Sequence, residues 1–273
     1  MHILLYSDGS EAASRGLTLG KQIAKATADN VDILDVARPE RNTVSEQEIE
    51  AAAAELRGQG IAVTVYRRPG FTGQQLLRQA DAVDYDLIVI GSRGRRGLKR
   101  LVAGSRACAV LGGAATSVLV VKGRRRDKIE TILTCSAAGP ASEDTIRFAA
   151  RLAHAMGASV TMLHVMSQVA LEERAHGADL VAKAEELMER DAREGVHLAN
   201  MLQILRAGDV EAEAVVRRGL VVEEIIAEAR DDQFDMMIIG AHTTPDIAGL
   251  LSSDLSQQIM LAVNRPILIV HQE

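Results

Sequence analysis

The sequence predicts an α/β chain of two tandem domains, each an open-twisted, five-stranded parallel sheet with helices on both faces. Three observations carry this. Short β-branched runs alternate with longer periodic segments, the pattern of βαβ units whose sheet is buried on both faces. The pattern is written twice in 273 residues, a length that suits two domains. A charged, polar run, GRRRDK from Gly123 to Lys128, lies between the copies and divides the chain into domains 1–123 and 128–273.

The repeat can be read residue by residue. ILLYSDGS (Ile3 to Ser10) lies over ILTCSAAG (Ile132 to Gly139), and VDILDV (Val31 to Val36) over VTMLHV (Val160 to Val165). RRPGFTGQQLLRQADAVDYDLIVIG (Arg67 to Gly91) lies over VRRGLVVEEIIAEARDDQFDMMIIG (Val216 to Gly240), which sets Asp86 over Asp235 and Gly91 over Gly240. The closing runs SVLVV (Ser117 to Val121) and PILIV (Pro266 to Val270) also match. The offset widens between Met166 and Val210, so the second copy carries an insertion there. Its segment ALEERAHGADLVAKAEELMERDAREG reads as one longer polar helix, a solvated amphipathic surface element.

In the first copy, strands are expected near Ile3 to Tyr6, Val31 to Val36, Ile61 to Tyr66, Leu87 to Ile90 and Val118 to Val121. Helices are expected after Ser10, at the capping box Ser45-x-x-Glu48, from Thr72 to Ala80, and from Ser105.

Composition excludes several functions. With 31 Lys plus Arg against 37 Asp plus Glu, an extended basic surface for nucleic acid is not available, and any anion site must be local. Aromatic residues make up 2% of the chain, so the stacking platforms of single-strand binders are missing. Cys108 and Cys135 stand far apart with no metal or disulfide spacing, which fits a reducing compartment. No run approaches the ~18 apolar residues of a membrane span. The chain reads as soluble and cytoplasmic.

Against that acidic background, GSRGRRGLKRLVAGS (Gly91 to Ser105) gathers five cationic side chains and four glycines. It follows the strand ending at Ile90, outside the carboxyl end of a parallel strand, where open α/β sheets bind ligands. Gly91 and Gly94 allow positive φ and close approach of the backbone. Gly104-Ser105 at a helix start offers unpaired N–H groups, a hydroxyl and the positive end of the dipole. A Walker A loop is absent, and where a dinucleotide-binding G-x-G-x-x-G would follow the first strand the chain has SDGS.

What remains is Gly91-x2-Gly94-x9-Gly104-Ser105. That spacing resembles the ATP-binding motif G-x2-G-x9-G-[ST] of the universal stress protein family, and the tandem duplication resembles its double-domain members. The resemblance covers nearly the whole chain. It implies a Rossmann-like, adenine nucleotide alpha hydrolase-like fold and ATP, with or without Mg²⁺, as ligand. It also implies site residues: Asp8, with Ser7 beside it, and Val36 toward adenine and ribose, Ile90 and Gly91 at the base edge, Gly94, Gly104 and Ser105 at the phosphates. Arg93 and Arg106 flank these glycines, and one or two of Arg93, Arg95, Arg96, Lys99 and Arg100 would meet phosphate. The second copy sets Thr243 over Gly94, Ser253 over Gly104, Asp254 over Ser105 and Ala137 over Asp8. A carboxylate at a phosphate-binding helix terminus repels the ligand, so one site is expected, in the first domain.

Plainer readings stand beside these. Asp8 is also a turn or helix-capping aspartate, and both roles are compatible. Cys108 reads as a small buried residue. His164 and His242, at strand ends of the degenerate copy, lack a second ligand at metal spacing and read as polar lining. The expected function is a non-catalytic, ATP-dependent stress sensor or regulator. By resemblance its two domains pair through their last strands, the pair could dimerise again, and an unnamed protein partner reads the state. Alternatives are a nucleotide-free interaction scaffold and an ATP-pyrophosphatase-type adenylating enzyme, although SDGSEA (Ser7 to Ala12) lacks the second-position glycine and the aspartate of that enzyme's S-G-G-x-D-S loop.

Overall fold

A computed structural model describes residues 1–37, 43–69, 72–92, 116–123, 128–137, 140–167, 182–189, 193–230, 233–241 and 249–271. The chain divides into two compact units, the first joining Met1–Asp127 with Asn264–His271 and the second running Lys128–Val263.

The first unit opens with β1 (His2–Ser7), α1 (Glu11–Thr27), β2 (Asn30–Ala37), α2 (Thr43–Arg57), β3 (Ala62–Pro69), α3 (Thr72–Ala82), β4 (Leu87–Gly91) and β5 (Ser117–Val121). Its strands lie in the order β3-β2-β1-β4-β5, all parallel. The chain therefore reverses its winding direction between β1 and β4, the switch point at which such sheets open a crevice. β1, β4 and β5 are apolar and buried along nearly their whole length, as strands covered on both faces must be. Ser10 caps α1 by accepting a hydrogen bond from Ala13 N at 3.2 Å. The helix then turns Ala12, Ala13, Gly16, Leu17, Gly20, Ile23 and Ala24 inward at three- and four-residue spacing.

The second unit repeats this plan with β6 (Thr131–Ser136), α4 (Pro140–Met156), β7 (Ser159–Ser167), α5 (Ala184–Glu189), α6 (Arg193–Ala207), β8 (Ala212–Gly219), α7 (Val221–Arg230), β9 (Met236–Gly240) and α8 (Gly249–Ala262). Its parallel order is β9-β6-β7-β8. The final strand β10 (Ile267–Val270) belongs to the first unit, where it runs antiparallel to β5 with Leu268 opposite Leu119. The first copy has its five expected parallel strands, and β10 adds an antiparallel neighbour to β5. β5 is buried throughout, and β10 lies along its edge with four buried aliphatic residues.

The aligned aspartates do the same work. Asp86 Oδ2 accepts from His2 N at 2.7 Å, and Asp235 Oδ2 accepts from Glu130 N at 2.8 Å, so each pins the amino end of its unit's first strand. The first unit adds a buried network beside it. Tyr85 donates to Asp32 Oδ2 at 2.6 Å, Gln79 Nε2 donates to Tyr85 Oη at 2.7 Å, and His2 Nε2 lies 3.3 Å from the same carboxylate. Burial, then the bond to Asp32, pushes the Tyr85 phenol up.

Two further expectations change. α2 starts at Thr43, so Ser45 lies in its first turn instead of capping it, with Glu46 supplying the negative charge that suits the positive end. The segment read as one polar helix contains a separate short helix, α5, with Ala184 and Leu187 buried, before α6 begins at Arg193. Arg218 donates to the Ala182 carbonyl and ties the residues before α5 to β8, so the described part is packed and not simply solvated. The helix expected from Ser105, with Cys108 in it, lies outside the described residues.

Candidate functional site

β1, β2 and β4 are neighbours, and their carboxyl ends bring together five of the expected site residues. Ser7 closes β1 with Asp8 next to it, Val36 sits in the last turn of β2, and Ile90 and Gly91 close β4. Val36 and Ile90 are buried, while Asp8 is half-buried at the rim. Arg93, Gly94, Gly104, Ser105 and Arg106 lie outside the described residues.

Gly91 is required for a reason the spacing does not reveal. Its φ is not positive, contrary to the freedom expected of it. A Cβ there would fall 1.8 Å from the Ala12 carbonyl oxygen, while a Cβ at Gly16 would fall 2.8 Å from Gly91 N. Two glycines thus let α1 lie directly against the end of β4, which brings the first turn of α1 beside the start of the motif loop. Asp8 serves this turn as well, since Oδ1 accepts from Ser10 N at 3.1 Å.

Two polar residues at these strand ends escaped the sequence reading. Asp35, 1% exposed, stands opposite Ser7 in the register, with Arg67 Nε 3.9 Å from its carboxylate. The signal was there: an acidic residue inside an apolar strand of a parallel sheet needs a reason. Ser92, just beyond Gly91, is 2% exposed, and among the described residues its hydroxyl has no hydrogen-bond partner. A buried donor left unmet at the mouth of a crevice is a place where a ligand group or a water gains affinity.

The second unit has the same place with different chemistry. Ser136 closes β6 and faces His164 of β7 in the register, where the first unit has Ser7 and Asp35. His164 Nδ1 lies 3.0 Å from the Ser136 carbonyl oxygen, which makes that nitrogen the N–H donor. His197, from α6, places Nε2 2.6 Å from Ser136 Oγ, and the two rings are 5.7 Å apart. Burial is the main cause that pulls both imidazoles below 6.5. His164, expected as polar lining, is a buried residue bonded to the backbone of Ser136. His197 was missed, because it comes from a helix beyond the insertion and no local pattern links it to His164.

His242 and Thr243 lie outside the described residues. Ser253 and Asp254 do not stand at a helix start, as expected for counterparts of Gly104 and Ser105. α8 opens at Gly249, so their N–H groups fall where the helix uses its own bonds. Among the described residues, no three His, Cys, Asp or Glu side chains group closely enough to hold a metal ion, and no helix is long and apolar enough to cross a membrane.

Comparison with known proteins agrees with the repeated architecture. A universal stress protein from Archaeoglobus fulgidus DSM 4304 matches over 99% of this chain and 96% of its own, with 16% identity and a TM-score of 0.66. A functionally unknown protein from Pseudomonas aeruginosa PAO1 matches over 98% of this chain and 92% of its own, with 16% identity and a TM-score of 0.70. At that identity the likeness concerns the fold. No curated protein matches the chain. The sequence profile of the universal stress protein family matches twice, over residues 39–122 and 128–271, the first match beginning after Asp8 and Val36. The chain therefore belongs to the universal stress protein family, with the family's unit present in tandem.

Proposed function

We propose that the first unit binds ATP at the carboxyl ends of β1, β2 and β4, and that the chain acts as a nucleotide-dependent stress sensor or regulator without turning the nucleotide over. The observation that carries this reading is the convergence of Asp8, Val36, Ile90 and Gly91 on one crevice, from which the motif Gly91-x2-Gly94-x9-Gly104-Ser105 departs. Val36 and Ile90 would form the apolar floor beneath a purine, Asp8 is an acceptor suited to a ribose hydroxyl, and the Ser92 hydroxyl, without a partner among the described residues, would be a further polar contact. The N–H groups of the Gly104-Ser105 segment and the neighbouring arginines would meet phosphate. Mg²⁺, where present, would neutralise phosphate charge, with Asp8 as the carboxylate at the rim.

One site per chain is expected, because the second unit has Ala137 where the first has Asp8, and imidazoles where the first has Asp35. The test is acid extraction of the purified protein and nucleotide quantification per chain, repeated after loading at millimolar ATP. About one ATP per chain, lost in Gly104→Asp and weakened in Asp8→Asn, supports the reading; no binding at millimolar ATP sinks it. Release of pyrophosphate or AMP to an acceptor would move the protein to the adenylating class, and slow phosphate release would make it a weak ATPase.

A further inference from the structure

The turn after the first strand is held differently in the two units. In the first, Ser7 Oγ accepts from Gly9 N at 3.3 Å, so the hydroxyl is part of the turn. In the second, Ser142 takes over: Ala137 N donates to Ser142 Oγ at 2.8 Å, and that hydroxyl donates back to the Ala137 carbonyl. Ser136 is thereby released from turn duty, and among the described residues its hydroxyl meets His197 Nε2 at 2.6 Å. That is the distance at which a nucleophile and its base share a proton.

The surroundings suit such a proton transfer. His164 donates Nδ1–H to the Ser136 carbonyl and packs against the His197 ring, which fixes the serine's backbone and walls the imidazole. Burial favours the neutral, proton-accepting form of His197. The charges of Glu143 on α4 and Glu194 on α6 act in the other direction. Ser136 and His164 are 6% and 7% exposed, so a reacting group must be small.

We propose that Ser136 is an acyl-acceptor site, at which His197 as general base lets the serine hydroxyl take a small acyl group from an activated donor such as a thioester, an acyl phosphate or an aryl ester. The Oγ–H proton passes to His197 Nε2 as the Oγ–C bond forms at the donor's carbonyl carbon. The bond to the leaving group then breaks, and that group departs as an anion or takes the proton back from His197. The product is an O-acyl serine, with no change of oxidation state. This site is independent of nucleotide binding in the first unit.

The probe is p-nitrophenyl acetate with the full-length protein, read by intact mass and peptide mapping. One acetyl group on Ser136 and none on Ser7 is expected, and Ser136→Ala removes it. His197→Gln slows the modification about 100-fold or more, the range a positioned base contributes. In the wild-type protein the rate should rise with pH to a plateau, with its midpoint below 6.5, because burial and His164 lower the His197 pKa more than Glu143 and Glu194 raise it. No acetyl group on Ser136, or an unchanged rate in a folded His197→Gln variant, overturns the proposal. Should that variant not fold, the wild-type profile decides: a rate that climbs with hydroxide through neutral pH without a plateau overturns it too.

Discussion

The two units place the same residue types on the same scaffold positions and then part at the carboxyl ends of their central strands. Asp86 and Asp235 each hold the first strand of their unit, and α1 and α4 each follow that strand at once. Ser7 and Ser136 occupy one register position, yet the first faces a carboxylate, Asp35, and the second an imidazole, His164. Positions that position strands have therefore kept their chemistry across the copies. Positions at the carboxyl ends of the central strands have not, so the two units present different chemistry there.

The sharpest test of that division is the glycine that closes the fourth strand of each unit's alignment. A Cβ on Gly91 meets backbone, the Ala12 carbonyl at 1.8 Å, whereas a Cβ on Gly240 meets the Thr145 hydroxyl at 2.6 Å, which a χ1 rotation can move away. Gly91→Ala should cost about 3 kcal/mol or more, since helix α1 must shift. Gly240→Ala should cost about 1 kcal/mol or less. Urea unfolding of both variants measures this, and equal losses would show that the tight seat of α1 is not peculiar to the first unit. Gly91→Ala should also weaken ATP binding, because the start of the motif loop moves with β4.

The next contrast lies at the amino ends. Tyr85→Phe removes the phenol's bond to buried Asp32 and should cost about 1–3 kcal/mol, the penalty for leaving a buried acceptor short. Thr161, aligned with Asp32, donates to Glu213 at 3.1 Å in an exposed setting, and Thr161→Val should change stability by no more than about 0.5 kcal/mol. Thermal unfolding of the pair checks this; a Tyr85→Phe protein as stable as wild type would mean that Asp32 finds another donor.

Acid should separate the units as well. The folded-state pKa of His164 and of His197 lies below the ordinary 6.5, with burial as the leading cause in each. Glu194 opposes burial at both, His164 lowers His197 further, and Glu143 opposes the shift at His197. Between the lowered values and 6.5 the unfolded chain binds more protons than the folded one, so stability is full above that pH and falls as pH drops through the window. In the first unit, Glu55 is held below 4.5 by hydrogen bonds from Lys21 and Lys25, so its contribution is lost only at lower pH. Hydrogen exchange at decreasing pH should therefore show the second unit opening first. Combined His164→Gln and His197→Gln should remove that difference, and an unchanged acid response would place its cause elsewhere.

Much of this architecture could be read directly, and the reasons it stopped are physical. Parallel strands buried on both faces must be aliphatic runs, so LIVIG and MMIIG announce themselves, and an internal repeat exposes departures such as Ala137 over Asp8. Two things could not be read. The reason for Gly91 is a backbone in another element, α1, and the spacing that made Gly91 conspicuous gave a different reason. The meeting of Ser136, His164 and His197 depends on how α6 lands after the insertion. Asp35 was legible and overlooked, since a carboxylate amid VDILDV in a buried strand is a signal in itself.

The smallest expected contrast is at the turn that ends α2 and α6. Gly60 N donates to the Arg57 carbonyl at 3.0 Å and Asp209 N to the Arg206 carbonyl at 3.0 Å, so the two turns close alike. Both residues hold positive φ, 82° for Gly60 and 56° for Asp209, but only glycine does so without a steric cost from Cβ. Asp209→Gly should therefore relieve strain and stabilise the second unit by at most about 1 kcal/mol, part of which the more flexible unfolded chain takes back. Gly60→Ala has open space around it and should cost about 1 kcal/mol through backbone strain alone. Opposite signs in these two variants, read from urea midpoints at constant slope, would establish that the turn is one inherited geometry filled by a fitting residue in one copy and a tolerated one in the other. Destabilisation by Asp209→Gly would mean instead that the Asp209 side chain contributes to the fold of the second unit.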